Sequence, residues 1–209
     1  MFDAVIFDLD GTLLDTEAVA LRLGHLCLQS LGHEPDPEVF HRMIGKDGPS
    51  SDAILLAAYP ALDLASFDRL WRGGFEAALE RDLPLKPHAR EVLEGIGLPK
   101  ALCTSSRRHS AARKLELAGF TGHFRAVVAL EDVARPKPAP EPYLLTAARL
   151  GVDPARCVVF EDSEPGAAAA RAAGCVVVQV PDMLPASGDH ADHVVATLLE
   201  GAQRLGLMR

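Results

Sequence analysis

The chain has 209 residues, 48% of them apolar, and a formal net charge of −8. That composition suits one large folded domain, or a main domain carrying an insert, and excludes a disordered chain. The acidic balance argues against nucleic acid or an anionic membrane as partner, and no apolar run reaches the roughly 20 residues that a membrane span needs.

The first strand is expected at Val5-Ile6-Phe7, a short β-branched and aromatic run too apolar for anything but a buried strand. It leads into Asp8, Asp10, Gly11 and Thr12. On a strand, residues two apart point the same way, so Asp8 and Asp10 are read as neighbours. Two adjacent carboxylates repel by roughly 4 kcal/mol at an effective dielectric of 20, which favours a cation between them or a proton on one. A plain polar exit from the strand is the other reading.

Residues 16–84 read as wholly helical. Thr16 caps a helix to Leu31 with Val19, Leu23, Leu26 and Ser30 on one face and Gly32 as its stop. Asp36-Pro37 starts a short second helix, IGKDGPS at 44–50 is a Gly-rich loop, and a third helix covers Ser51 to Tyr59. The last, Leu64 to Arg81, is expected to be interrupted at Gly73-Gly74. Pro84 and Pro87 then make a stiff extended connection.

Beyond it helices and strands alternate. Helices are expected at 89–95, 107–118, 141–150, 165–173 and 192–204, and strands at 100–103, 125–129, 157–160 and 175–180. This alternation means right-handed crossovers and a Rossmann-like parallel sheet, an α/β core with ligands at the carboxyl ends of its strands. The expected domains are a core of 1–15 with 85–209 and a helical insert of 16–84. Cys27, Cys103, Cys157 and Cys175 form no CxxC pair and read as buried residues of a reducing compartment. The N-terminus shows no basic start and no signal peptide, and the expectation is a cytoplasmic monomer.

The strand ends collect a chemical set: Asp8 and Asp10, then Thr104-Ser105-Ser106 before a helix, Glu131-Asp132 with Lys137 between prolines, and Glu161-Asp162-Ser163. The hydroxyl run is either a helix cap or a phosphate seat. Lys137 is either a solvated lysine or one aimed by its flanking prolines. Mg²⁺ takes one or two carboxylates, waters and a substrate phosphate, and Asp8, Asp162 and the Asp10 carbonyl could supply the protein's share. Phosphoryl transfer needs mainly positioning and charge stabilisation, which such a set offers.

These residues resemble the motifs of the haloacid dehalogenase superfamily over essentially the whole chain. DLDGT at 8–12 is similar to the first motif, Thr104 to the second, Lys137 in RPKPAPEPY to the third, and EDSEPGAAAARAAG at 161–174 to the fourth. The resemblance implies Asp8 as nucleophile, Asp10 as acid and base, Thr104 and Lys137 as catalytic partners, Mg²⁺ on Asp8, Asp10 and Asp162, and Glu161 in the outer shell. It also implies that 16–84 is a helical cap that closes over the site. Gly45-Lys46-Asp47 would be its specificity loop, with Lys46 touching substrate. Gly11, Ser105, Ser106 and Arg107 are the other implied substrate contacts, Arg107 being otherwise a surface charge.

The nearest branch is that of the β-phosphoglucomutase-like sugar-phosphate phosphatases, and VVQVPDML at 177–184 is also similar to pseudouridine-5′-phosphatases. Mutases of the branch carry a histidine where Ala20 stands and an arginine near Gly48, so a phosphatase of a small phosphorylated metabolite is preferred. A phosphomutase is the alternative, and a non-catalytic phospho-accepting module a further one. His88 replaces part of the usual Pro-Gly hinge. The DHADH run at 189–193 is read as a solvated loop before the last helix.

Overall fold

The computed structural model describes residues 1–43 and 48–208. The chain divides into two compact units, Met1–Asp15 with Pro84–Arg209, and Thr16–Leu83.

The first unit is built on a parallel sheet. Its strands are β1 (Ala4–Phe7), β2 (Lys100–Cys103), β3 (Ala126–Val128), β4 (Cys157–Glu161), β5 (Val176–Gln179) and β6 (His193–Val194), in the order β3-β2-β1-β4-β5-β6. From β1 the chain lays strands outward first on one side and then on the other. The carboxyl end of β1 is therefore where the order reverses and a crevice must open. Register brings Phe7 level with Leu102 on one side and Phe160 on the other, so the residues just beyond, Asp8, Cys103 and Glu161, lie abreast. The rings of Phe7 and Phe160 stack at 5.2 Å. The helices of this unit are α5 (Ala89–Gly95), α6 (Arg108–Ala118), α7 (Glu141–Leu150), α8 (Glu164–Ala172) and α9 (Leu198–Arg204).

The closing segment differs from expectation. A helix was expected from Asp192, but 193–194 adds the edge strand β6 and α9 begins only at Leu198. The physical reason is a pairing with β5: the Asp192 N–H donates to the Val177 carbonyl and the Asp192 carboxylate accepts from the Val177 N–H. Thr197 then caps α9 by accepting from the Glu200 N–H, while Glu200 accepts from the Ala196 N–H.

The second unit, Thr16–Leu83, holds α1 (Thr16–Ser30), α2 (Pro37–Met43), α3 (Gly48–Ala58) and α4 (Leu64–Arg81). Its core is Cys27, Leu28, Val39, Phe40, Leu55, Leu62 and Phe67. Three expectations are corrected here. The buried face of α1 is Thr16, Val19, Gly24, Cys27 and Leu28, whereas Leu26 is 61% exposed and Ser30 is exposed. The face is turned because Gly24 admits the Phe40 ring where any Cβ would overlap it. Helix α3 starts at Gly48 rather than Ser51, since Pro49 in a first turn needs no N–H partner. Helix α4 runs unbroken through Gly73-Gly74, because a Cβ on Gly74 would stand 2.8 Å from the Leu23 side chain, so the glycine serves close packing of α1 on α4.

Candidate active site

The first strand ends at Phe7, so Asp8 and Asp10 lie past it and do not share a strand face as the spacing suggested. They take different partners. Asp8 is buried, its N–H bonded to the Phe160 carbonyl, and its carboxylate accepts from Lys137 Nζ at 2.7 Å. Lys137 donates as well to Glu161 at 2.6 Å and to the Cys103 carbonyl at 3.0 Å, so all three of its protons are placed. Its peptide bond to Pro138 is cis. The Asp10 carboxylate instead accepts from Lys114 at 2.6 Å and from the Ser106 hydroxyl at 2.7 Å.

Glu161, 1% exposed, is saturated. One oxygen accepts from Lys137 and the Tyr143 hydroxyl, the other from the Ser163 N–H and hydroxyl. Four hydrogen bonds occupy the lone pairs that a metal would need. The close approach of α8 requires Gly166, since a Cβ there would overlap the clamped carboxylate. Gly166→Ala is therefore expected to destabilise the protein by about 2–4 kcal/mol, as overpacking and broken buried hydrogen bonds together. Thermal melting checks this; a melt matching the parent protein would show that Glu161 is free to move.

Asp162 accepts from the Thr12 hydroxyl at 3.0 Å, and its carboxylate lies so close to Gly11 that a Cβ would overlap it. Gly11 also holds φ +83°, a second reason for glycine. At the end of β2, Thr104 is buried and its hydroxyl oxygen accepts from the Ser106 N–H, the turn that leads into α6. Ser105 and Arg107 are exposed beside it.

Charge explains the strain of this cluster. Burial pushes the Asp8 carboxyl up to about 7 against the pull of Lys137, with Glu161 and Asp10 adding to the rise. Burial, then Glu161 and Asp8, raise Asp162 well above the usual carboxylate range. Burial pulls Lys137 down, but the charges of Asp8 and Glu161 overcome it and hold it well above an ordinary lysine. Three carboxylates thus face one ammonium, and the excess negative charge suits a divalent cation. Among the described residues no three His, Cys, Asp or Glu side chains form a ready-made metal centre. Two carboxylates with a main-chain carbonyl, completed by waters and a phosphate, fit Mg²⁺ rather than a metal that wants a full protein cage.

Some expected residues lie elsewhere. Asp132 is held by Arg108, by Arg149 at 2.8 Å and by the Ala129 N–H at 2.8 Å, so it fastens α6 and α7 to the loop after β3. Lys46, Gly45 and Asp47 lie outside the described residues. His88 takes φ 63°, the left-handed conformation a glycine would adopt, and its ring bonds Glu91 at 2.8 Å. Two participants escaped the sequence reading. Tyr143 hides in the first turn of α7. Lys114 sits on the buried face of α6 with Ala111, Leu115 and Ala118, and a lysine in that apolar stripe was the available signal.

A family model for haloacid dehalogenase-like hydrolases matches residues 2–174. The chain belongs to that family. It is 35% identical to fructose-1-phosphate phosphatase of Escherichia coli over 184 residues, 86% of this chain and 96% of that protein. A Deinococcus radiodurans family hydrolase, solved with bound phosphate and sodium, matches with TM-score 0.88 and 30% identity, covering 99% of this chain and 97% of the other. A Thermotoga maritima structure provisionally named a β-phosphoglucomutase matches with TM-score 0.85 and 30% identity, covering 98% of both chains.

Proposed function

We propose that this hydrolase releases phosphate from a small phosphomonoester, a sugar phosphate or nucleotide-like compound, through an aspartyl-phosphate on Asp8. The observation that carries the reading is the division of labour at the carboxyl edge: Asp8 held by Lys137, and Asp10, two residues on, held separately by Lys114 and Ser106. The nucleophile is thereby kept apart from the group that moves protons.

In the first step an Asp8 oxygen attacks phosphorus, the bond from phosphorus to the ester oxygen breaks, and Asp10 gives its proton to the leaving oxygen. In the second, water attacks the phosphorus of the acyl phosphate and Asp10 takes a proton from that water. The bond to Asp8 breaks, freeing inorganic phosphate and restoring the carboxylate. Lys137 and the Thr104 hydroxyl face the transferring group as charge and hydrogen-bond partners. Asp8, Asp162 and the Asp10 carbonyl would hold Mg²⁺, which when bound neutralises charge on the phosphoryl oxygens. Glu161 has no lone pair to spare and orients Lys137 from outside. Lys46 and Arg107 are the side chains proposed to select the rest of the substrate.

The sugar-phosphate phosphatase likeness and the phosphate bound by the Deinococcus protein support this reading. A panel of phosphorylated metabolites assayed with Mg²⁺ tests it: free phosphate from hexose phosphates or nucleotides is expected, whereas isomerised product without phosphate release would make the enzyme a mutase. Chelation with EDTA is expected to lower activity at least ~100-fold, with recovery on adding Mg²⁺, as befits a cation that carries transition-state charge. Activity that survives exhaustive chelation removes the metal from the account.

A further inference from the structure

We infer that Lys114 is a positioning residue for Asp10, holding its carboxylate in the one orientation from which it serves both the leaving oxygen and the incoming water. The inference rests on the phosphatase reading above. Its basis is a closed ring of three hydrogen bonds: Lys114 to one Asp10 oxygen at 2.6 Å, the Ser106 hydroxyl to the other at 2.7 Å, and Lys114 to the Ser106 oxygen at 3.1 Å. Both carboxylate oxygens are thus engaged, and rotation about the Asp10 side chain would break two bonds to α6 and its preceding turn.

The burial pattern separates this role from simple cross-linking. The Lys114 side chain is 7% exposed, while its Asp10 partner is 24% exposed at the open carboxyl edge. An ion pair of that kind is poor evidence for stability, because an apolar side chain of similar length could replace the lysine on a stripe already made of Ala111, Leu115 and Ala118. A helix lysine also leans toward the helix N-terminus, which is how one two turns into α6 reaches the turn at Ser106. Asp8 and Asp10 consequently each have their own lysine, from different elements. Neither competes for the other's donor, and Asp10 is not drawn onto Lys137.

The test compares Lys114→Met and Lys114→Arg with the parent enzyme, using glucose 6-phosphate, whose leaving group needs a proton, and p-nitrophenyl phosphate, whose leaving group does not. Lys114→Met is expected to lower kcat on glucose 6-phosphate by ~10–100-fold, a large part of what a positioned acid contributes. KM should stay within about threefold, and the p-nitrophenol burst should be far less affected. Melting should be unchanged or raised, and Lys114→Arg should recover at least part of kcat. A crystal structure of Lys114→Met is expected to show the Asp10 carboxylate turned away from Ser106. Parent-like kcat on glucose 6-phosphate, an effect confined to KM, or an unmoved Asp10 carboxylate overturns the inference. If the parent enzyme releases phosphate from no member of the metabolite panel, the phosphatase reading fails, and the orientation of Asp10 in the variant crystal still decides the role of Lys114. If it hydrolyses another sugar phosphate and not glucose 6-phosphate, that ester takes its place in the comparison.

Discussion

Asp8→Asn is expected to cut phosphate release by more than ~1,000-fold while making the metal-free protein more stable above pH 7. The first effect follows from the loss of the attacking oxyanion, for which an amide is no substitute. The second follows from the cost of keeping this carboxylate charged. Burial and Glu161 raise its pKa from 3.8 to about 7 despite Lys137. A carboxyl whose folded-state value lies above its unfolded one stabilises the fold fully below about pH 4, and that contribution is lost as pH rises through 7. Asparagine has no charge to lose the contribution with. At pH 8 the variant should gain about 2–4 kcal/mol over the parent, and near pH 4 the two should converge. Asp132 acts in the opposite sense: Arg149 before all else holds it at about 2, so its support disappears only in acid, below the range compared. Calorimetry of metal-free samples across pH 4–8, beside phosphate-release assays, checks both halves. A variant less stable than the parent at pH 8 contradicts the electrostatic account, and ordinary turnover contradicts the assignment of the nucleophile.

Lys137→Met is expected to be strongly destabilising. It removes the ammonium shared by Asp8, Glu161 and the Cys103 carbonyl and leaves two buried carboxylates against each other. Breaking a buried pair from one side costs about 3–5 kcal/mol, here roughly 10 °C in melting temperature for a chain of this size. Activity should be lost together with stability, and stability should return in part at low pH, where Asp8, already raised by burial, takes up a proton. Lys137→Arg is not expected to rescue either. The ammonium lies 5.1 Å over the Tyr143 ring with three short bonds already placed, which leaves no space for a planar guanidinium. A Lys137→Met protein that melts within about a degree of the parent would mean that the cluster relaxes without its cation.

The core of the fold was legible because its strands are short apolar runs and its helices carry caps. The runs at Val5, Ala101 and Val158 lie in strands, and Gly119 and Gly151 end their helices in the left-handed conformation. Errors arose where local pattern competes with packing. Gly73-Gly74 reads as a break, yet α4 continues because Leu23 fills the space left by Gly74. Leu26 fits an apolar stripe, yet the ring of Phe40 against Gly24 turns that stripe toward another face. At 193–194 a polar run became an edge strand because Asp192 pairs with Val177, a partner that no periodicity announces.

For the site, the sequence by itself pointed to the acids, the hydroxyls and the lysine between prolines, but not to Lys114 or Tyr143. Acids directly after buried strands, hydroxyls before a helix and a lysine between prolines must gather at the carboxyl edge of a parallel sheet, whatever the details of packing. Which donor meets which acceptor was decided only in three dimensions. Asp8 meets Lys137 across 129 residues of chain and Asp10 meets Lys114 across 104, and those meetings depend on strand register, on the path of the loop ahead of α7 and on the rotation of α6 about its axis. Such rotation is set by side chains packing between elements, and neighbouring residues along the chain carry no record of it.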